Sequence, residues 1–228
     1  MNLNILTVTL GRDLYLKRLI KSINELSGWK DYNFKHYIVY QGIVNEDIDS
    51  FIKNIEYSKH IVLIKNETSI KVSIGEALNQ FKAVCGEGLF WKLDDDAQLV
   101  SSNSFKHIEE LYKLVGNAVF SPYPVGLINN PGGVPSKSHT VFYSTITDTY
   151  YTLRKVHHVG GFARIMPVEC FKRITFTNTH SEDTECSSWC NNKSIPMYYL
   201  ENALIVEHQE STLGQHARYG NDYFKGRF

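Results

Sequence analysis

Short apolar runs that alternate with stretches of helical periodicity constrain this chain more than any other feature. Residues 4–9 (NILTVT) are apolar and β-branched and read as a buried strand. Leu16, Leu19, Ile20, Ile23 and Leu26 then recur at helical spacing, with Gly28 as a stop. The pattern repeats with a strand at 37–40, a helix marked by Ile48, Phe51, Ile52 and Ile55, and a strand at 61–64. A helix marked by Ile74, Ala77, Leu78, Phe81 and Val84 precedes a strand at 89–93, which ends in three aspartates. Ser104 is placed to cap a helix carrying Ile108, Leu111 and Val115, and a fifth strand follows at 118–121. Strands separated by helices imply a mostly parallel sheet covered on both faces. Ligands of such sheets sit beyond the carboxyl ends of the strands. That rule selects residues 9–12, 41–42, 66–71 and 94–96 before any motif is considered.

The second half reads differently. Residues 123–137 are dense in Gly and Pro and form a loop. Residues 140–153, rich in Thr, Tyr, Val and Ile, suggest antiparallel strands. A short helix is expected from Pro167, another over 182–190, and a last strand over 198–207. At 228 residues with 43% apolar content, the chain suits one domain with a filled core. We divide it into 1–122, the part facing the ligand site just named, and 123–228.

Charge and cysteine usage narrow the partners. Lys+Arg and Asp+Glu are both 24, which argues against whole-surface capture of nucleic acid or anionic membrane and leaves a local basic groove open. No run approaches the ~18 apolar residues of a membrane helix, and no basic segment opens the chain, so a cytoplasmic protein is expected. Cys85, Cys170, Cys186 and Cys190 contain no CxxC pair. Cys186 and Cys190 share a face if helical, but His180 is the only nearby third ligand, so thiols are favoured over a zinc site.

Three groups of residues carry chemical interest. Asp94, Asp95 and Asp96 are adjacent carboxylates; on a strand, Asp94 and Asp96 would face one way and Asp95 the other. Like charges repel by about 1 kcal/mol per pair at ~4 Å even in water, and a hard divalent cation would relieve this. A solvated strand end reads equally well from these residues alone. Glu182, Asp183 and Glu185 fit either the acidic first turn of a helix or a general base held at its start. His208, after an apolar strand, becomes a metal ligand only if that strand returns to the aspartates. Gly160-Gly161 serves a turn or a close approach of backbone to ligand. No GxxxxGK[ST], GxGxxG or GxSxG is present, so P-loop, dinucleotide and serine-hydrolase chemistry lack support.

The order of these segments resembles the nucleotide-sugar glycosyltransferases of the GT-A fold, especially family two. The opening Thr7-Val8-Thr9-Leu10-Gly11-Arg12, with Leu16, Ile20, Ser22 and Ile23, is similar to that family's first strand, turn and helix. Gly75, Ala77 and Asn79, then Gly86, Leu93 and Asp94–Asp96, resemble the run into its Asp-x-Asp motif. Residues 159–162 (VGGF) look like its acceptor-side Gly-Gly segment, 182–185 (EDTE) like its Glu-Asp motif, and His208 with Ser211 and Thr212 like its late metal-side segment. Two departures are visible: Gln41-Gly42 stands where the family usually reads the base with Asp, and Leu78 where an Arg often precedes Asn79.

The resemblance implies a GT-A architecture: a mostly parallel central sheet with helices on both faces and a small antiparallel acceptor-side part. It implies a nucleotide-sugar-binding half at 1–122 and an acceptor half at 123–228. The implied donor is a nucleoside diphosphate sugar, with a UDP-sugar favoured. Thr9, Leu10, Gly11, Arg12, Gln41, Lys71, Asp94, Asp95 and Gly161 would line it; Asp94, Asp96 and His208 would hold Mn2+ or Mg2+. Asp183 would deprotonate an acceptor hydroxyl, giving inversion. The acceptor would be a glycan or another hydroxyl, with a modified DNA base also open given Arg218, Lys225 and Arg227 in the basic tail. A sugar nucleotidyltransferase on the same fold and a non-catalytic carbohydrate-binding module, suggested by the Tyr-rich 140–151 segment, are the competing readings.

Overall fold

The computed structural model describes residues 1–44, 46–67, 71–122, 124–127, 139–177, 179–210 and 215. Its first half follows the expected alternation: β1 (Asn2–Thr9), α1 (Asp13–Leu26), β2 (Asn33–Gln41), α2 (Glu46–Asn54), β3 (Ile61–Asn66), α3 (Ile74–Phe81), β4 (Leu89–Lys92), β5 (Ala97–Leu99), α4 (Ser104–Val115) and β6 (Val119–Pro122). The second half adds β7 (Pro124–Val125), β8 (His139–Ser144), β9 (Thr149–Val156), β10 (Ile165–Pro167), α5 (Val168–Arg173), α6 (Glu182–Asn192), β11 (Met197–Leu200) and β12 (Val206–His208).

The main sheet has the order β3-β2-β1-β4-β10-β6-β11-β9-β8. β3, β2, β1 and β4 run parallel, β10 enters antiparallel between β4 and β6, and β9–β8 forms an antiparallel hairpin at the far edge. A second, three-stranded sheet, β5-β12-β7, stands beside it. This is the mixed α/β architecture with helices around a large sheet.

Side-chain alternation along the strands builds two cores, one per face. Leu3, Ile5, Leu89 and Trp91 point to one side, where Leu16, Leu19, Ile20 and Ile23 of α1 and Phe105, Ile108 and Leu111 of α4 cover them. Leu6 and Phe90 point to the other, under Leu78 and Phe81 of α3, Phe171 of α5 and Cys186 and Cys190 of α6. Both thiols of α6 are buried on one face of the helix, within the apolar cluster on this side of the sheet.

Several expectations are corrected. The three aspartates lie in a tight turn after β4, closed by the Ala97 N–H donating to the Asp94 carbonyl (3.0 Å), so strand alternation does not set their directions. The single last strand is two: a break at Ala203, with φ of 67°, sends β11 into the main sheet and β12 into the small one. Asn103, not Ser104, occupies the cap of α4; Ser104 is its first residue, and its hydroxyl donates to the Ser101 carbonyl (2.7 Å). Helix α3 ends at Phe81, leaving Val84 beyond it and exposed. Strands β5 and β10, three residues each, carry too little pattern for sequence reading. Of the loop expected over 123–137, Pro124–Val125 form β7 instead, and 123 and 128–137 lie outside the described residues, as do Ser211, Thr212 and the basic tail with Arg218, Lys225 and Arg227.

One core residue makes a pH prediction. His36 on β2 is fully buried, bonded to the Thr7 hydroxyl (3.0 Å) and the Tyr57 hydroxyl (3.3 Å). Burial pushes its pKa down to about 3. Below the unfolded value of about 6.5 the unfolded chain binds a proton that the folded chain refuses, so stability falls as pH drops from there toward 3. The expected loss from this group is about 1.4 kcal/mol per pH unit across that window. Urea melts of wild type and His36→Gln at pH 7.5 and 5 check it: the variant is expected to lose this slope.

Candidate active site

The carboxyl ends of β1 and β4 meet where the turn after β1 faces the aspartate turn. Thr9, the last residue of β1, donates its hydroxyl to Asp95 Oδ2 (2.6 Å). Gly11, at φ of 82°, lets the chain turn so that Arg12 points back at the aspartates. Arg12 Nε donates to Asp95 Oδ2 (3.1 Å), Nη2 to Asp95 Oδ1, and Nη1 to Asp96 Oδ2 (2.7 Å). One guanidinium thus clamps two buried carboxylates, the bidentate geometry that Lys cannot supply. Asp95 and Asp96 are each only 2% exposed.

The small sheet delivers the third component. β12 pairs antiparallel with β5 in a register that sets His208 opposite Ala97. This brings His208 Nε2 to 3.3 Å from Asp96 Oδ2. The Phe162 ring lies against the imidazole at 5.3 Å between centroids, and Gln209 ties the segment to β5 through the Ala97 carbonyl (2.8 Å). One ligand atom each from Asp96, His208 and Glu210 lie within 4.8 Å of one another, the one such metal-capable group among the described residues. Two carboxylate oxygens and an imidazole nitrogen suit Mn2+ or Mg2+ better than a soft ion. Burial works to raise the Asp96 carboxyl, but the His208 hydrogen bond and charge and the Arg12 guanidinium outweigh it, holding Asp96 well below the usual carboxylate range. Glu210 was not foreseen; its spacing of two from His208 was the available signal.

Asp94 turns the other way. Its side chain is 35% exposed, and Oδ1 accepts from Lys92 Nζ at 2.5 Å. Lys92 is buried at the end of β4 and also reaches the Gly161 carbonyl (2.6 Å) and Glu182 Oε1 (3.1 Å). Burial would lower the Lys92 pKa, but Asp94 and Glu182 raise it above the ordinary lysine value, so it stays charged. Gly161 is a glycine for a packing reason: a Cβ there would strike the Glu182 carboxylate. Lys92 was passed over in the sequence because it sits inside an apolar strand run.

Asp183, in the first turn of α6, faces His158, with Nε2 to Oδ2 at 3.4 Å. Burial works to raise its pKa; hydrogen bonds from His158 and Ser181 and the charges of His158 and Arg164 win and hold it well below the usual range. The carboxylate is therefore ionised at neutral pH. Arg164 is fully buried, and none of its guanidinium nitrogens has a hydrogen-bond partner among the described residues. Its charge is balanced by the nearby Glu182 and Asp183. Glu185 belongs elsewhere: it accepts from the Thr177 N–H (3.0 Å) and the Thr179 hydroxyl (3.2 Å), pinning the loop before α6.

The remaining expected residues spread around this centre. Leu10 is exposed beside Gly11. Gln41 is buried at the end of β2, donating to the Val72 carbonyl (2.9 Å), while Lys71 is exposed just before it. On the β8–β9 hairpin, the exposed Tyr143 and Tyr150 rings lie 4.7 Å apart.

No protein-family model matches this sequence, and no curated protein matches it. Solved structures do resemble it. GalNAc-T7 with UDP, GalNAc and Mn2+ superposes with a TM-score of 0.69 at 12% identity, over 93% of this chain and 44% of that one. S. aureus TarS 1–349 with UDP-GlcNAc gives 0.67 at 12% identity, over 99% of this chain and 64% of that one. The mannosyltransferase PcManGT from Pyrobaculum calidifontis, with GDP-Man and Mn2+, gives 0.66 at 12% identity, over 95% and 59%. This chain therefore has the GT-A fold of nucleotide-sugar glycosyltransferases. It spans between 44 and 64% of the length of those relatives. No helix among the described residues is long and apolar enough to cross a membrane.

Proposed function

We propose that this protein is a metal-dependent glycosyltransferase that moves a sugar from a nucleoside diphosphate sugar to an acceptor hydroxyl, with inversion. The observation that carries the reading is the return of β12 to the aspartate turn, which sets His208 at 3.3 Å from Asp96 with Glu210 alongside. Asp96, His208 and Glu210 would hold Mn2+ or Mg2+; Asp94, expected among the ligands, pairs with Lys92 instead and would face the donor. Such an ion, when bound, neutralises diphosphate charge and makes the nucleotide a better leaving group. Arg12 and Thr9 fix the aspartates in place so that little reorganisation is left to the reaction. Leu10, Gly11, Gln41 and Lys71, around the ends of β1 and β2, would border the nucleotide, for which the neighbours' UDP and GDP ligands are the models. Asp183 would accept the proton of the attacking hydroxyl on the face opposite the leaving group. The whole chain serves as one catalytic unit in this reading, the donor half at 1–122 and the acceptor half at 123–228.

The GT-A fold also suits a nucleotidyltransferase. Here Arg12, the cation of the turn after β1, is committed to Asp95 and Asp96 rather than presented to a triphosphate. Incubation with UDP-sugars and GDP-mannose separates the two. Release of UDP or GDP that requires Mn2+ and stops with chelator is the expected result. Pyrophosphate release from a nucleoside triphosphate and a sugar phosphate would replace this reading with the other.

A further inference from the structure

We propose that Lys92 is a positioning residue that couples ligand binding at Asp94 of the aspartate turn to the ordering of the helix carrying the base. The proposal rests on the glycosyltransferase reading above. Lys92 ties together three separate segments: its ammonium donates to Asp94 in the aspartate turn (2.5 Å) and to the Gly161 carbonyl (2.6 Å), and pairs its charge with Glu182 at the start of α6 (3.1 Å). The side chain is 4% exposed, so water cannot replace an acceptor that withdraws. A buried charge of this kind is tolerated only while it is paired and hydrogen-bonded.

The three partners are not equivalent. Asp94 is the open one, at 35% side-chain exposure against 14% for Glu182. A cation or hydrogen-bond donor of a ligand that engages the Asp94 carboxylate competes with Lys92 for it and weakens that contact. The ammonium then compensates through the two partners it keeps, Gly161 and Glu182. Glu182 immediately precedes Asp183, so a tighter Lys92–Glu182 contact fixes the first turn of α6 and the base on it. Gly161 shows how close this junction already is, since any Cβ there would strike the Glu182 carboxylate. The buried Arg164 guanidinium supplies a second positive charge to Glu182 and Asp183, so the first turn of α6 stays attracted to the sheet in both states. The device links two sites through one two-sided contact.

Amide hydrogen exchange tests the coupling, with UDP plus Mn2+ and GDP plus Mn2+ as probes and calorimetry as the measure of binding. In wild type, a nucleotide that binds is expected to slow exchange at Thr184, Glu185 and Cys186 by at least about fivefold, the low end for coupled sites. In the charge-balanced Lys92→Met/Glu182→Gln variant, that response is expected to disappear while calorimetry still detects nucleotide binding. Glu182→Gln by itself, which leaves the ammonium its other two acceptors, is expected to lose the response as well. A merely structural Lys92 would change the exchange rates of the free protein without abolishing a nucleotide response. An unchanged response in the folded variants overturns the coupling, as does wild type that binds nucleotide with no response at α6. Wild type that binds neither nucleotide overturns the glycosyltransferase reading and the coupling together.

Discussion

The double variant Asp96→Asn/His208→Ala is expected to lose essentially all sugar transfer while keeping its fold. Asp96 and His208 meet at 3.3 Å across the junction of β5 and β12, and both are buried there. Divalent-ion catalysis is worth several kcal/mol of charge stabilisation, and each 1.4 kcal/mol is tenfold in rate, so a loss of about 1,000-fold or more in kcat/KM is expected. Asp96→Asn alone keeps the volume of the side chain and leaves Arg12 its two bonds to Asp95. Circular dichroism and the melting midpoint should therefore show a folded protein. Residual activity that is indifferent to Mn2+ would mean that these residues hold no catalytic ion. Kinetics over a range of Mn2+ concentrations provide the check.

The second large effect belongs to Asp183. Asp183→Asn removes the proton acceptor but keeps a polar group of the same shape beside His158. The expected loss is about 100- to 10,000-fold in kcat, the usual worth of a general base, with little change in nucleotide affinity. The pH dependence has a definite sign. Protonating Asp183 removes the base, so the rate falls as pH drops through its pKa. That pKa is held well below the usual carboxylate range, so Asp183 does not set any decline between pH 5 and 8. Steady-state kinetics across that range, with donor and acceptor varied separately, measure both effects. Equal falls in kcat and nucleotide affinity would assign Asp183 a structural role instead.

What the sequence showed and hid follows from how local each signal is. The parallel half was legible because every strand and helix there carries its own period. Leu3, Ile5 and Leu6 divide between two cores, and α1 presents Leu16, Leu19, Ile20 and Ile23 to one of them. The aspartates were legible as a cluster, but their directions were not. A turn closed by Ala97 N–H to Asp94 O sends Asp95 and Asp96 to Arg12 and Asp94 to Lys92. The meeting of His208 with Asp96 was posed as a condition, because it depends on pairing between strands more than a hundred residues apart. The pairing partner, β5, is three residues long and leaves almost no pattern.

Lys92 and Arg164 stayed hidden for a different reason. A single basic residue in an apolar run reads as an exposed exception, and only tertiary contacts reveal that it is buried and what it faces. Conversely, Glu185 looked like part of the acidic cluster, and the fold spends it on Thr177 and Thr179.

The central claim is that the aspartate turn and His208 together grip a diphosphate through a divalent ion. Calorimetry of wild type with UDP and GDP, each in Mn2+ and then in chelator, tests it most directly. The account predicts binding of at least one nucleotide that weakens at least about tenfold without the ion, as loss of one ligand-bound charge contact of about 1.4 kcal/mol or more requires. Equal affinity with and without Mn2+, or no binding under either condition, would contradict it.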